Sequence, residues 1–386
     1  MTNHTLTLKA GGRPGAHQLL PSLEPEDAIG NYALALQGFL REMGFESRIF
    51  VYAAAGDGPG EVLPFREHQR YSSPENLLIF HTAIGSPLAE YFASCPDRKI
   101  LVHHNVTPPR FFAPWDREVA YLAHLARNQL KLIAPLAEAA VADSPYNRQE
   151  LLDLGSPDPE VIPLIFDWER LAGSADPGVL KKYGDGRTNI LFVGRVAPNK
   201  RPEDLIRVFY YYLRDCDPAA RLILVGEDQR FPVYRRALEK LVRDLGLSNI
   251  VFTGKVSLAQ LRAYYQTASL FLCLSEHEGL GVPLVESLYY RIPVVAYAAA
   301  AVPSTLARSG VLVREKDPLR LAVLIHRIIT DRPLREAILQ GQDRRLKYFQ
   351  SFPYRERWET VVRSLTGHPN QPPSPNQSSG PDQPRS

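Results

Sequence analysis

Two glutamates, Glu278 and Glu286, stand with seven residues between them around Gly279-Leu280-Gly281 and Pro283, in the string SEHEGLGVPLVES. A carboxylate placed like Glu286 can accept the hydroxyl protons of a vicinal diol such as a ribose. Glu278 and the backbone N–H groups beside the glycines can hold the hydroxyls of a sugar. Glycines let a ligand approach the main chain, and the free N–H groups of a helix start favour an anion. Upstream, Arg195 and Lys200 follow Gly194 in the spacing G-R-x-x-x-x-K. A planar guanidinium fork and a mobile ammonium suit a diphosphate. Taken alone, each pair reads better as solvated charges, so the elements that carry them decide.

Leu270 to Leu274 is an apolar run of the kind that forms a doubly covered strand, and Pro283 sits where a helix begins, its missing N–H costing nothing there. Asn189 to Val193 is a strand that delivers Arg195 and Lys200. Arg221 to Val225 ends in Gly226-Glu227, and Asn249 to Thr253 ends in Gly254-Lys255-Val256. Strands at Pro293 to Tyr297 and Gly310 to Val313, and helices at Pro318 to Thr330 and Phe349 to Leu365, complete a second α/β series. A first series has strands at His17–Leu20, Ser47–Tyr52, Asn76–Phe80, Lys99–His103, Ala139–Ala142 and Glu160–Leu164, with a helix from near Asp27 to about Gly44. Such alternation predicts two parallel sheets. Residues 166–187 collect Gly173, Pro177, Gly178, Gly184 and Gly186 and read as a connection. The expected domains are 1–168 and 169–350, with a helix over 351–366. The tail 367–386 and residues 1–16 are expected to be disordered, the tail because it has little to bury.

Ligands of parallel sheets lie outside the carboxyl ends of the strands. That rule adds His104, in HHNVTPP, with His81 as a lesser candidate on the same wall, and Gly226, Lys255 and Val256 in the second series. Packed histidines and turn glycines are the plain alternatives.

The chain has 386 residues, 45% of them hydrophobic, enough for two cores. Its 45 basic and 42 acidic residues leave a net charge of +3, which gives no reason to expect a nucleic-acid partner and leaves a peripheral membrane contact open. Cys95, Cys216 and Cys273 match no zinc spacing and read as reduced thiols in a cytoplasmic protein. The first residues lack the charged start and apolar core of a secretion signal, and no uncharged apolar stretch of about 18 residues occurs. Asp215-Cys216-Asp217 matches Asp-x-Asp formally, but it ends a helix and precedes Pro218, the setting of a solvated terminus.

The string E-G-x-G-x-P-x-x-E after an apolar strand, with G-R-x-x-x-x-K about 80 residues ahead of it, resembles the donor site of retaining nucleotide-sugar glycosyltransferases of family 4. That resemblance implies the GT-B fold: two Rossmann-like domains facing a cleft, the first taking a saccharide or lipid-linked acceptor and the last helix crossing back to it. It further implies that Arg195 and Lys200 neutralise the leaving diphosphate and that Glu286 binds the ribose. Glu278 and the Gly279-Leu280-Gly281 backbone would meet the sugar, Gly226, Lys255 and Val256 the base, and His104 the reacting face. Many members carry a Gly-Gly pair in the first loop near the phosphates, where this chain has only Gly30 and Asn31. No metal or cofactor is expected. A sugar-nucleotide epimerase of the same architecture and a silent nucleotide-sugar-binding subunit remain as alternatives.

Overall fold

The computed structural model describes residues 13–23, 28–53 and 62–366. The expectations for residues 1–12, for Asp27 and for the tail 367–386 lie outside them. Seven parallel strands form the first sheet: β1 (Ala16–Leu20), β2 (Ile49–Val51), β3 (Val62–Pro64), β4 (Leu77–Thr82), β5 (Arg98–His103), β6 (Ala139–Ala142) and β7 (Glu160–Val161). Their order is β3-β2-β1-β4-β5-β6-β7. The second sheet holds β8 (Asn189–Val193), β9 (Arg221–Val225), β10 (Ile250–Phe252), β11 (Leu270–Cys273), β12 (Val294–Tyr297) and β13 (Val311–Val313), in the order β10-β9-β8-β11-β12-β13. Both sheets are doubly wound, and the strand order reverses between β1 and β4 and between β8 and β11. Helices cover both faces, so β8, β9 and β11 are dominated by Ile, Leu, Phe and Val apart from Asn189, Arg221 and Cys273 at their ends. Leu270 pairs with Ile190 and Phe271 with Leu191. This register brings the loops after β8 and β11 side by side.

Several stretches differ from the sequence reading, among them the unexpected short helix Val302–Leu306. Residues 166–187 hold two short helices, Trp168–Ala172 and Pro177–Tyr183, rather than a bare connection. Each has an aspartate cap: Asp167 accepts from the N–H of Arg170 at 2.9 Å and Asp176 from that of Val179 at 2.8 Å. The helix expected over Phe349–Leu365 is Tyr354–Thr366, and a separate helix, Arg332–Gln350, precedes it, the two broken ahead of Pro353, which cannot continue a helix. The strand β3 and the 3-10 helix Phe65–Arg70 were not foreseen, because three residues ending in proline give no alternation to read.

The helix Tyr354–Thr366 lies on the first domain. Trp358 is fully buried and donates from Nε1 to the Tyr32 hydroxyl at 3.0 Å, while the Tyr354 hydroxyl donates to the Leu164 carbonyl at 3.1 Å. Trp358, Val361 and Val362 share one core with Tyr32, Leu36 and Leu40 and with Leu280 and Val285 of the second domain. The chain therefore passes between the domains twice.

Candidate active site at the two switch points

Beyond β8 and β9 the two main chains continue to pair. Gly194 donates to the Val225 carbonyl at 2.9 Å and Val196 to the Glu227 carbonyl at 2.8 Å. Gly226 has φ 139°, and a Cβ there would stand 2.3 Å from the Gly194 carbonyl oxygen, a contact only glycine avoids. Arg195 leaves this junction exposed to solvent. Asn199 then staples the loop to its neighbour: its side chain donates to the His277 carbonyl at 3.1 Å, and its carbonyl accepts from Glu276 at 2.9 Å. Lys200 is thereby held with Nζ 2.5 Å from Oε2 of Glu278. Both side chains are mostly buried at the carboxyl ends of β8 and β11.

Gly281, at φ 82°, turns the chain into the helix Val282–Tyr289, and the hydroxyl of Thr305 pins the Leu280 carbonyl. Glu286 lies one turn into that helix, buried, and accepts the Tyr265 hydroxyl at 2.6 Å. Burial pushes its carboxyl up, while that hydroxyl and the charge of Arg170 pull it back. It faces a cavity of about 40 Å³ shared with Asn31 of the first domain and with Phe166, Asp167, Arg170 and Val282.

The opposite wall meets this loop closely. A Cβ on Gly279 would stand 2.6 Å from Cβ of Asn105 and 3.0 Å from the His104 carbonyl oxygen, so the domains touch main chain to main chain here. Asn105 is left-handed at φ 81°, and its amide meets Nδ1 of His277 at 3.1 Å. The Tyr146 hydroxyl approaches Nε2 of His277 at 3.4 Å. Burial, only partly offset by Glu150 and Glu278, lowers the His277 pKa to about 4, so it is a neutral ring between the domains.

His104 does not project its ring into the cleft. Its Nδ1 bonds Asp143 at 2.9 Å, and its Nε2 bonds Nδ1 of His81 at 2.9 Å; Nε2 of His81 meets the Gln18 side-chain oxygen at 2.9 Å, and Gln18 donates to the Ala33 carbonyl at 3.0 Å. Burial, and next the neighbouring His104, push the His81 imidazole well below its usual range. With Asp143 at one end and Ala33 at the other, all four ring nitrogens of the two imidazoles are engaged within the wall. Tyr32 packs edge-on against both rings, which ties this wall to Trp358.

Gly30 falls in the first turn of the helix Ala28–Glu42, the helix expected from Asp27, rather than in the first loop. Lys255 is exposed beyond β10, where Gly226 donates to the Gly254 carbonyl at 3.2 Å, and Val256 packs on the core beneath. Asp215 is taken by Arg214 and Asp217 caps Ala219, ahead of the amino end of β9 and so at the opposite ends of the strands from Lys200. The sequence reading passed over His277, Asn105 and Tyr146. His277 lay in plain view between Glu276 and Glu278, but its partner Asn105 is 172 residues away.

Residues 181–344 match the family model described as glycosyl transferases group 1. The second domain is a group 1 glycosyltransferase domain. The switch-point loops with Arg195, Lys200, Glu278 and Glu286 all lie within that group 1 domain. Among curated relatives, the chain is 28% identical over 242 residues to D-inositol 3-phosphate glycosyltransferase of Geodermatophilus obscurus, covering 59% of this chain and 51% of that protein. It is 26% identical over 256 residues to the GDP-mannose-dependent alpha-(1-6)-phosphatidylinositol monomannoside mannosyltransferase of Mycobacterium tuberculosis, covering 62% and 64%. The chain spans about half the length of the first curated relatives it matches. Among solved structures, the sucrose-phosphate synthase of Thermosynechococcus elongatus superposes with a TM-score of 0.73 at 18% identity, covering 92% of this chain and all of that one. Anabaena HepE, solved with UDP and glucose, does so at 0.69, again with 18% identity and coverage of 92% and 100%. The fold is GT-B, as expected.

Proposed function

We propose that this chain is a retaining glycosyltransferase of family 4, which moves a sugar from a nucleoside diphosphate to an acceptor hydroxyl in polysaccharide or glycolipid assembly. The observation that carries the reading is the Lys200–Glu278 pair, set at 2.5 Å at the head of the helix Val282–Tyr289 and at the strand-order reversal of the group 1 domain. In the reaction the bond from the anomeric carbon to the diphosphate oxygen breaks and the diphosphate keeps the electron pair. The acceptor oxygen bonds the anomeric carbon on the same face and gives its proton to the departing diphosphate.

Arg195 and Lys200 stabilise the departing charge, Glu278 and the Gly279–Gly281 backbone hold the sugar, and Glu286 takes the ribose once Tyr265 gives way. Gly226, Lys255 and Val256 border the base, and Gly30 lies at the helix head facing the phosphates from the first domain. His104 acts on the reacting face through its main chain, since its ring nitrogens are engaged. The relatives named above, one GDP-mannose-dependent and one solved with UDP and glucose, make GDP-mannose and UDP-hexoses the first donors to try. A saccharide or lipid-linked acceptor and a peripheral place at the cytoplasmic face of a membrane belong to the same reading; among the described residues no helix is long and apolar enough to cross a membrane.

The test follows free nucleoside diphosphate from a panel of sugar nucleotides, with and without acceptors. Release that depends on acceptor supports transfer, conversion of donor alone supports an epimerase, and binding without turnover a silent subunit. Fixed cations and a helix head supply the leaving-group stabilisation that other enzymes take from a divalent ion. Turnover is therefore expected to survive excess EDTA, and Lys200→Ala to cut it by about 10²–10³. Activity lost on chelation and restored by magnesium or manganese would overturn the cation clamp.

A further inference from the structure

Behind the first sheet, away from the cleft, His68 of the 3-10 helix, Cys95 and Asp97 come together with their ligand atoms all within 4.8 Å of one another. All three are buried, and the His68 and Asp97 side chains have no exposure at all. Nε2 of His68 has no hydrogen-bond partner. It lies 3.7 Å from Oδ1 of Asp97. That is too long for a hydrogen bond, yet close to the roughly 3.3–3.4 Å between a nitrogen and an oxygen on one tetrahedral ion with bonds of about 2.0–2.2 Å.

We infer that His68, Cys95 and Asp97 form a structural site for a divalent transition-metal ion, with zinc the best match to one imidazole, one thiolate and one carboxylate. The surrounding shell is already in place. Tyr91 bonds Nδ1 of His68 at 2.8 Å, which leaves Nε2 as the ligand atom. The Ser72 hydroxyl bonds the other oxygen of Asp97, and the N–H of Ser73 reaches Oδ1 at 3.3 Å. No lysine or arginine pairs with the Asp97 carboxylate among the described residues, since Lys99 turns its ammonium to the carbonyls of Cys95 and Asp97. A buried carboxylate without a counter-charge is costly, and a metal ion supplies one. Cysteine binds a metal as the thiolate, so zinc displaces the Cys95 proton and binding releases one proton per ion. Water or the Ser72 hydroxyl completes four ligands. Because Cys95 and Asp97 precede β5, at its amino end, the ion would clamp the 3-10 helix to the sheet and take no part in chemistry at the carboxyl ends.

The experiment uses the untagged full chain, stripped with chelator, desalted and given zinc chloride. Expected are one zinc per chain by elemental analysis, one proton released, a raised melting temperature, and with cobalt chloride a thiolate-to-cobalt absorption band. Cys95→Ser should lose the band and the zinc, and the isosteric Asp97→Asn should weaken binding. Cys216→Ser should change neither. Wild-type chain that returns from desalting free of zinc and shows no cobalt–thiolate band overturns the inference without recourse to any variant; so does zinc bound equally by wild type, Cys95→Ser and Asp97→Asn.

Discussion

At the scale of residues, the two glutamates sit in unlike surroundings, and their substitutions should separate. Glu286 is buried against Tyr265 and faces the cavity that reaches Asn31, whereas Glu278 spends its carboxylate on Lys200. Glu286→Ala should weaken nucleoside diphosphate binding, since hydrogen bonds to a charged acceptor are worth about 1.5–3 kcal/mol each. Glu278→Ala should leave that affinity nearly intact and lower turnover. Calorimetric titration of both variants decides it, and equal losses would refute the division of roles. His277 gives a pH dependence. Its folded pKa of about 4 lies below the ordinary 6.5, so the unfolded chain binds the extra proton first. The stability it contributes is complete above pH 6.5 and is lost as pH falls through 4, in all about 3 kcal/mol at 1.36 kcal/mol per unit. Urea midpoints between pH 7 and 4 should fall less steeply for His277→Gln than for wild type. The groups facing the ring, Glu150, Glu278, Arg127 and Lys200, are present in both proteins and cancel from the comparison.

At the scale of elements, Gly279 is where the two walls meet. Gly279→Ala would set a methyl 2.6 Å from Asn105 and prevent the present approach of the walls. Nucleoside diphosphate affinity should hold while kcat falls, by up to about 10² for a misplacement near 1 Å. A single-turnover rate equal to wild type would show that the contact is not made during transfer. The strands of the group 1 domain were legible as apolar runs: β8 and β9, each ended by glycine, lie where their residues place them, and β11 is one residue shorter. The helix Pro318–Thr330 also begins and ends where the sequence puts it. What could not be read is long-range. The inward turn of the His104 ring depends on Asp143 and Gln18, and the cluster of His68 with Cys95 and Asp97 on a crossing of the sheet that no local spacing records. The Arg332–Gln350 helix was missed for a different reason. Its Gln342 is buried and polar because it bonds Ile292 and Val294 at the start of β12, which breaks the apolar stripe that would have marked the helix.

At the scale of the whole molecule, the first domain is completed by residues from the other end of the chain. Trp358→Ala should cost about 3–5 kcal/mol, the range for deleting a large buried aromatic side chain. It also removes the bond to Tyr32, which packs on His81 and His104. Thermal unfolding should show the first domain melting ahead of the second in that variant. A single transition at the wild-type temperature would mean that the helix Tyr354–Thr366 is dispensable to the core it fills.

The same helix sets an order of events at the ribosome. Tyr32 and Trp358 are 326 residues apart in the chain. Synthesis at about 5–20 residues per second separates their emergence by about 16–65 s. Over that interval the group 1 domain can form from contiguous sequence, while the domain made first waits with its Tyr32 face uncovered. Nascent chains arrested before residue 354 should therefore carry a folded second half and an apolar surface on the first, open to a chaperone until the last helix is released.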